Sequence, residues 1–122
     1  MRILHFYKTY YPDSIGGAEQ VINQLARSIV NFGIETDVLS LSPKRVEPTI
    51  EINGHHVHRV KTDFQIASTG FSLSAFSRFA QLAKQVDLIH YHYPWPFMDL
   101  VHFASRVKIP TVVTYHSDII RQ

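Results

Sequence analysis

Short apolar strand patterns alternate with amphipathic helix patterns along the chain, and this alternation restricts the fold more than any other feature. Strands are predicted at residues 2–7, 36–41, 87–92 and 110–116, and helices at residues 16–31, 72–86 and 96–108. The strands are apolar over most of their length, which is typical of strands covered by helices on both faces. We therefore predict an α/β fold with a Rossmann-like, doubly wound, mostly parallel sheet.

One antiparallel element interrupts this alternation. Segments 49–52 and 55–60 flank Asn53 and Gly54, a dipeptide that strongly favours a tight β-hairpin. The stretch from residue 61 to residue 70 shows no clear period, so we expect a loose connection there.

The length and composition indicate one small globular domain over residues 1–122. Hydrophobic residues make up 45% of the chain and charged residues 18%, which argues against disorder. The net charge of +2 is too small to indicate nucleic-acid binding. Cysteine is absent, which excludes disulfides and suits a cytoplasmic location. No secretory signal is recognised, and no segment approaches the roughly 20 apolar residues of a membrane span.

Two glycines, Gly16 and Gly17, stand where the first strand and its loop lead into the first helix. The first N–H groups of a helix have no partners within the helix, and the helix dipole places partial positive charge there. Glycine also lets a phosphate approach the backbone without meeting a Cβ atom. We therefore predict a phosphate-bearing ligand at this turn; the alternative is a tight turn that only allows helix and strand to pack.

The turn does not match the familiar nucleotide motifs. The G-x-G-x-x-G spacing and an acidic residue after the second strand are missing, which argues against an NAD-dependent enzyme. No Gly-Lys-Ser/Thr sequence follows the glycines, so the turn is not a P-loop.

Histidine and aromatic residues concentrate at the predicted carboxyl ends of the strands, where doubly wound sheets bind ligands. Alternation along the strand places His90 and His92 on one face and Tyr91 and Tyr93 on the other. With His116, the two histidines have the ligand type of a metal site, but no carboxylate is fixed beside them. We therefore predict no metal, and instead a polar, aromatic rim that binds a sugar or an acceptor.

The last strand ends at His116, whose side chain is expected to point into the cleft. An imidazole there can donate a hydrogen bond to a hydroxyl or to a developing negative oxygen, and Asp118 could fix its tautomer. The alternative is a structural histidine that caps a loop.

Four features, in this order, carry a resemblance to one family. They are the N-terminal strand, the loop Tyr11-Pro12-Asp13 leading into Gly16-Gly17-Ala18-Glu19, the strand from Asp87 to His92, and the ending from Thr114 to Asp118. On these residues the whole chain resembles the N-terminal, acceptor-side domain of retaining GT-B glycosyltransferases of family 4. The resemblance implies sugar transfer from a nucleotide-sugar to a glycan or lipid-linked acceptor, in polysaccharide, lipopolysaccharide or glycolipid synthesis.

The resemblance also implies roles for single residues. His116 would be the catalytic residue that contacts and positions the donor sugar, and Gly16 and Gly17 would approach the donor diphosphate. Acceptor or sugar contacts are expected from the loop and rim residues Tyr11, Asp13, His92, Tyr93 and Asp118. Such enzymes require neither a divalent metal nor a protein nucleophile, so no cofactor is implied, and the nucleotide-sugar is a substrate.

The second half of a GT-B enzyme, which binds the nucleotide, is not recognised in this chain. We therefore expect a truncated N-terminal part that is inactive alone. Missing strands would leave an open edge at residues 111–115, which predicts self-association. A peripheral contact with the inner face of the membrane is allowed by a set of basic and aromatic side chains, Lys44, Arg45, Phe76, Arg78 and Phe79.

A non-enzymatic phosphate- or nucleotide-binding module on the same scaffold is the alternative function, because this fold hosts many functions. The two functions make different predictions for His116, Ser117 and Asp118. An enzyme should bring these side chains to the cleft that holds Gly16 and Gly17, whereas a module should leave them distant or packed in the interior.

Overall fold

The structure, a computed structural model, describes residues 1–14, 16–43, 47–66 and 69–116. Its strands are β1 (Arg2–Phe6), β2 (Glu35–Ser42), β3 (Thr49–Ile52), β4 (His55–Lys61), β5 (Phe64–Ile66), β6 (Thr69–Phe71), β7 (Leu88–Tyr93) and β8 (Thr111–Tyr115). Its helices are α1 (Gly17–Ile29), followed by a 3-10 turn (Val30–Phe32), α2 (Leu73–Ala83) and α3 (Pro96–Ser105). The predicted order of strands and helices is confirmed apart from the additional strands β5 and β6, with shifts of a few residues at the ends.

The main sheet has six strands in the order β3-β4-β2-β1-β7-β8. The pairs β4–β2, β2–β1, β1–β7 and β7–β8 are parallel, and β3 pairs antiparallel with β4. The predicted α/β class with a mostly parallel sheet is therefore confirmed. Because neighbouring parallel strands end at the same edge, the segments after β1, β2, β7 and β8 meet there.

Helices cover the sheet from both sides, because alternate residues of each strand are apolar on opposite faces. On one face, Leu4 and Phe6 of β1 pack into a buried cluster with Phe79 of α2 and Met98 of α3. On the other face, α1 contributes Ile22 to a smaller cluster that also holds residues of the strands and the loop after β1. Two faces with separate clusters account for the doubly wound arrangement.

Helix α1 is held by a single row of small and branched side chains at a spacing of four residues. Ala18, Ile22 and Ala26 are buried against the sheet. The 3-10 turn after α1 ends at Gly33, whose φ of 75° is left-handed and whose N–H donates to the carbonyl of Val30. Glycine adopts this backbone conformation without the steric cost that other residues pay.

The predicted hairpin at Asn53 and Gly54 is present, with φ angles of 48° and 84° at the two turn residues. Both lie in the left-handed region, as a type I′ turn requires. The prediction of a loose stretch from residue 61 to residue 70 was wrong in part, because β5 and β6 form a short antiparallel hairpin. Its strands have only three residues each, too few to show a period in the sequence.

A buried carboxylate ties three strands together. Asp37 on β2 accepts two hydrogen bonds from the Arg2 guanidinium, at 2.8 and 3.1 Å, and one from His58 on β4 at 2.9 Å. Burial alone would raise the pKa of Asp37, but the hydrogen bonds from His58 and Arg2 outweigh it and hold the pKa below its usual value. The ionised carboxylate therefore stabilises the pairing of β1, β2 and β4.

Strand β8 ends the main sheet and is poorly covered. Val113 is 57% exposed and Tyr115 is 71% exposed. Within the part of the chain that the structure describes, no strand pairs with the outer edge of β8, which agrees with the open edge predicted at residues 111–115. Self-association through it stays a prediction.

The aromatic part of the suggested membrane contact lies inside the protein. Phe79 is fully buried, and the half-buried ring of Phe76 packs edge-on against Phe97 with centroids 5.5 Å apart. Lys44 and Arg45 fall outside the residues that the structure describes. No helix among the described residues is both long enough and apolar enough to span a bilayer.

Candidate functional site

A cavity of about 690 Å³ opens at the carboxyl edge of the sheet. Its walls come from the loop after β1, the start of α1, the segments after β2 and β7, and the end of β8. The residues that bear on its chemistry are Lys8, Asp13, Gly16, Gly17 and His116. Three residues that the sequence placed in a common cleft, Gly16, Gly17 and His116, thus line one cavity. Ser117 and Asp118, which complete the predicted motif, lie outside the described residues.

The two glycines at the start of α1 have different surroundings. A Cβ atom on Gly16 would lie 2.8 Å from Oε1 of Glu19, closer than unbonded atoms normally approach. A Cβ atom on Gly17 would meet nothing within 4 Å. A side chain at position 16 would therefore push the Glu19 carboxylate aside, whereas Gly17 presents bare backbone to the cavity. Of the two, Gly17 is where a ligand can approach the helix N-terminus.

The carboxylate of Glu19 anchors the loop that forms one wall of the cavity. Glu19 is almost fully buried in the first turn of α1, and its Oε2 accepts hydrogen bonds from Ser14 at 2.6 Å and Thr9 at 2.8 Å. These bonds fix the loop to the helix start. They also draw Oε2 toward the loop, and Gly16, at the N-cap of α1, has no side chain of its own that could cap the helix.

His116 is held from behind by two further histidines. Its Nε2 lies 2.8 Å from Nδ1 of His92, and Nε2 of His92 lies 2.9 Å from Nδ1 of His5. The backbone N–H of His116 donates to the carbonyl of Tyr93 at 2.9 Å. The ring of His116 thus lies at the cavity wall, at the end of a buried line of three imidazoles.

The two inner histidines are uncharged. Burial, reinforced by the neighbouring imidazoles, lowers the pKa of His5 to about 3 and the pKa of His92 to about 2. Because the charged form of a buried imidazole loses its hydration, both rings stay neutral at physiological pH. They act as hydrogen-bonding groups and carry no charge to the site.

Three histidines, His5, His90 and His92, each offer a nitrogen within 4.8 Å of the others, as metal ligands would. Their arrangement does not suit a single metal ion bound by all three. The rings of His90 and His92 are nearly parallel, at 14° with centroids 4.3 Å apart, so their in-plane lone pairs do not converge. Both nitrogens of His92 already face imidazoles, and Nε2 of His90 lies 2.6 Å from Oγ1 of Thr114. The absence of a metal stays an expectation, and this geometry favours a hydrogen-bonded cluster.

Three other residues predicted to contact the acceptor or sugar, Asp13, Tyr11 and His92, have different surroundings in the structure. Asp13 lines the cavity and lies 3.8 Å from the Arg59 guanidinium. Tyr11 packs edge-on against Tyr10, 5.2 Å away, beside the core cluster that includes Ile22. His92 is fully buried behind His116 and can affect a ligand only through it.

Tyr93 points to the opposite face of the sheet from the histidines, as alternation predicts. Its hydroxyl donates a short hydrogen bond to Asp99 of α3. Burial, aided by the bond to Asp99, raises the pKa of Tyr93 to about 12. Its side chain therefore faces α3 and not the cavity.

Sequence reasoning assigned no role to three residues that shape this site: Lys8, Glu19 and His5. Lys8 follows β1 directly, so its position at the carboxyl edge of the sheet was a usable signal. His5 had no such signal, because its role depends on the parallel register that sets β1 beside β7.

A comparison with protein-family models finds that residues 15–121 match Glycosyltransferase Family 4. The chain belongs to glycosyltransferase family 4. The matched region includes the start of α1, His92 and His116, whereas Lys8, Asp13 and His5 precede it.

Two curated relatives align with the whole chain. The D-rhamnosyltransferase WbpZ of Pseudomonas aeruginosa is 57% identical over 122 residues, and the O-antigen chain mannosyltransferase C of Escherichia coli is 50% identical over 122 residues. The alignments cover 32% and 33% of those proteins. The family 4 chain thus spans about a third of the length of these relatives.

A solved structure supports the fold. The family 4 chain is similar to a sucrose-phosphate synthase from Thermosynechococcus elongatus, with a TM-score of 0.60 and 18% identity. The similarity covers 95% of this chain and 33% of the solved one. At this identity the likeness concerns the α/β architecture alone.

Proposed function

We propose that the complete protein transfers a sugar from a nucleotide-sugar to a glycan or lipid-linked acceptor during synthesis of O-antigen or a related cell-surface polysaccharide. Family membership and the rhamnosyl- and mannosyltransferase names of the two relatives support the reaction class. The observation that carries the proposal is structural. Gly17, Lys8 and His116 line one cavity at the edge of the sheet where doubly wound folds bind ligands.

The donor diphosphate would bind at the start of α1. Gly17 leaves the backbone open there, and the first N–H groups of the helix, which have no partners within it, carry partial positive charge. Lys8 lines the same cavity, and its ammonium group would add positive charge at the diphosphate. Together they would offset the negative charge that builds on the departing diphosphate.

The donor sugar would lie beside His116. A neutral imidazole donates one N–H, which suits a sugar hydroxyl or an oxygen that gains negative charge as the glycosidic bond to the diphosphate breaks. We propose that the acceptor hydroxyl attacks the anomeric carbon from the face that the departing diphosphate occupies, so that the configuration is retained without a protein nucleophile. The bond to the diphosphate breaks, and a diphosphate oxygen takes the proton of the attacking hydroxyl. Asp13, which also lines the cavity, would accept a hydrogen bond from a hydroxyl of the acceptor.

An assay of the complete reading frame with a panel of nucleotide-sugars tests the function. We expect product with one donor and a glycan or lipid-linked acceptor, unchanged by EDTA, and none from the 122 residues alone. NMR of the product's anomeric carbon reports retention. Binding of nucleotide-sugars without transfer to any acceptor would instead support a non-enzymatic module.

Substitutions at the two glycines should have separate effects. Gly17→Val should lower kcat/KM for the donor by roughly 10- to 100-fold, because the valine side chain occupies the space through which the diphosphate reaches the backbone. Its free energy of unfolding should change by less than about 1 kcal/mol. Gly16→Ala should instead lower the free energy of unfolding by about 1–3 kcal/mol, because its Cβ displaces the Glu19 carboxylate from its hydrogen bonds. Steady-state kinetics and urea unfolding of both variants measure the difference.

A double-mutant cycle provides the control for Gly16. In a Glu19→Ala background the clashing oxygen is absent, so Gly16→Ala should cost less than it does in the wild type. Equal costs in both backgrounds would show that Glu19 is not the reason for glycine at position 16. Wild-type donor kinetics in Gly17→Val would rule out the diphosphate site at the start of α1.

A further inference from the structure

The buried line of imidazoles behind His116 is not explained by the proposed function, which uses His116 alone. The three rings come from adjacent parallel strands: His5 from β1, His92 from β7, and His116 from the residue that follows β8. The nitrogen-to-nitrogen distances are 2.9 and 2.8 Å, which are hydrogen-bond distances. His5 and His92 are almost fully inaccessible to solvent.

A neutral imidazole carries one N–H and one lone pair, so a line of three neutral rings has only two consistent arrangements. Either every ring donates toward His116, or every ring donates toward His5. In the first arrangement His116 accepts at Nε2 and carries its hydrogen on Nδ1. In the second, His116 donates from Nε2 and its Nδ1 carries only a lone pair.

The inner end of the line favours the first arrangement. Nε2 of His5 is buried and has no hydrogen-bond partner among the residues that the structure describes. An orphaned buried N–H is rarer in proteins than an orphaned acceptor, so Nε2 of His5 should bear the lone pair. The hydrogen of His5 is then on Nδ1, from which it donates to His92, and Nδ1 of His92 donates to His116.

We propose that His5 and His92 are positioning residues that hold His116 in the tautomer with its hydrogen on Nδ1 and fix the orientation of its ring. This inference rests on the proposed function only where it concerns transfer, since the tautomer is a property of the protein alone. With the hydrogen on Nδ1, His116 donates to the donor substrate and does not accept from it. The line of imidazoles thus determines whether Nδ1 of His116 donates or accepts a hydrogen bond, because the bond made at one ring nitrogen fixes the tautomer and so the role of the other nitrogen.

The inner histidines do not pass protons to the site. Burial lowers the pKa of His5 to about 3 and the pKa of His92 to about 2, so both rings stay neutral near pH 7. A ring that cannot become charged at neutral pH is a poor proton carrier but a good fixed dipole. His5 and His92 therefore act on His116 by hydrogen bonding.

His90 provides a matched control. Its ring stacks on that of His92 with centroids 4.3 Å apart and is also partly buried, but its Nε2 pairs with Thr114 and it takes no part in the line. Replacing His90 disturbs the same cluster without cutting the hydrogen bonds to His116. Any effect that is specific to the line should appear in variants of His92 and be absent from those of His90.

Two-bond ¹H–¹⁵N NMR of the histidine rings at neutral pH reads the tautomers directly in the wild-type protein. We expect His116 with its hydrogen on Nδ1 and its Nε2 unprotonated. His116 with its hydrogen on Nε2 would overturn the proposal, whatever the enzyme assay shows. This measurement needs neither a substrate nor a substitution, so it does not depend on the proposed function or on a variant that folds.

Kinetics of the complete protein test the positioning role. His92→Leu removes the donor to His116 and should lower kcat by roughly 10- to 100-fold with little change in KM, because the reacting geometry is lost while substrate contacts remain. His92→Asn keeps an N–H near the position of Nδ1 and should recover much of the rate. His90→Asn should stay within a few-fold of wild type.

Equal losses in His92→Leu, His92→Asn and His90→Asn would show that the cluster only supports the fold and would overturn the positioning role. Full activity in His92→Leu would overturn it as well. A complete protein with no transferase activity, whose wild-type NMR still shows the Nδ1 tautomer, would refute the proposed function and leave the hydrogen-bonded line established.

Discussion

His116→Ala should lower kcat of the complete transferase by about 100- to 1,000-fold. Removal of one hydrogen-bond donor aimed at a developing negative oxygen typically has an effect of this size, because the site cannot replace it with water at the same position. His116 lines the same cavity as Gly17 and Lys8, so the substitution removes the group next to the reacting sugar and leaves the diphosphate site in place. KM for the donor should therefore change less than kcat.

Alanine at this position also leaves Nδ1 of His92 without its partner, and a buried donor without a partner costs about 1–3 kcal/mol of stability. His116→Gln separates the loss of rate from the loss of stability. Its side-chain oxygen can accept from His92 near the position of Nε2, but it supplies no N–H where Nδ1 stood. Both variants should lose the rate, and only His116→Ala should lose stability in urea unfolding. Near wild-type turnover in folded His116→Gln would remove His116 from the mechanism.

Mild acid should destabilise the protein strongly. Between about pH 6.5 and pH 4 the free energy of unfolding should fall by about 1–3 kcal/mol per pH unit, a large fraction of the roughly 5–15 kcal/mol of a typical domain. The cause is the pair of buried imidazoles, His5 and His92, which resist protonation in the folded state. His90, whose pKa is also lowered, mainly by burial, adds to the effect.

The direction of this change in stability with pH follows from the pKa values. An unfolded histidine titrates near 6.5, whereas the pKa of His5 is about 3 and that of His92 about 2 in the folded protein. Below pH 6.5 the unfolded chain binds more protons than the folded one, so acid favours unfolding. The stability is fully present above pH 6.5 and is lost as the pH falls toward the folded values. Asp37, whose pKa is lowered, acts in the same direction but only below its unfolded value of about 4.

Urea unfolding at several pH values between 7.5 and 5 measures this slope. His92→Asn removes one of the titrating groups, so it should flatten the slope by about 1 kcal/mol per pH unit relative to wild type. A free energy of unfolding that stays constant from pH 7 to pH 5 would show that the histidines are not buried and neutral as the structure has them.

Much of the fold could be predicted because it depends on local patterns. The strand and helix order, the hairpin at Asn53 and Gly54, and the start of α1 at Gly17 follow from periodicity and from backbone preferences that act within a few residues. The β5–β6 hairpin could not be predicted, because three-residue strands are too short to carry a period and depend on packing such as the stacking of Phe64 on Phe71.

The candidate site could likewise be predicted in part from the sequence. That Gly16, Gly17 and His116 lie at one edge follows from the sequence, because each comes directly before or after an element whose end is fixed by the parallel sheet. Alternation placed His92 and Tyr93 on opposite faces of the sheet, but their contacts did not follow from the sequence. That Tyr93 contacts Asp99 and that His92 lies behind His116 depends on which element packs on each face.

By itself the sequence determined the α/β class, the family and the segments that meet at the ligand-binding edge, because these depend on periods and motifs that are local in the chain. Only the tertiary structure decided the separate roles of Gly16 and Gly17 and the line from His5 to His116. Those depend on contacts between residues far apart in the chain: the register that sets β1 beside β7, and the side chain of Glu19 that turns back against Gly16. Distances of 2.8 and 2.9 Å between ring nitrogens arise only when three strands are aligned to within one residue.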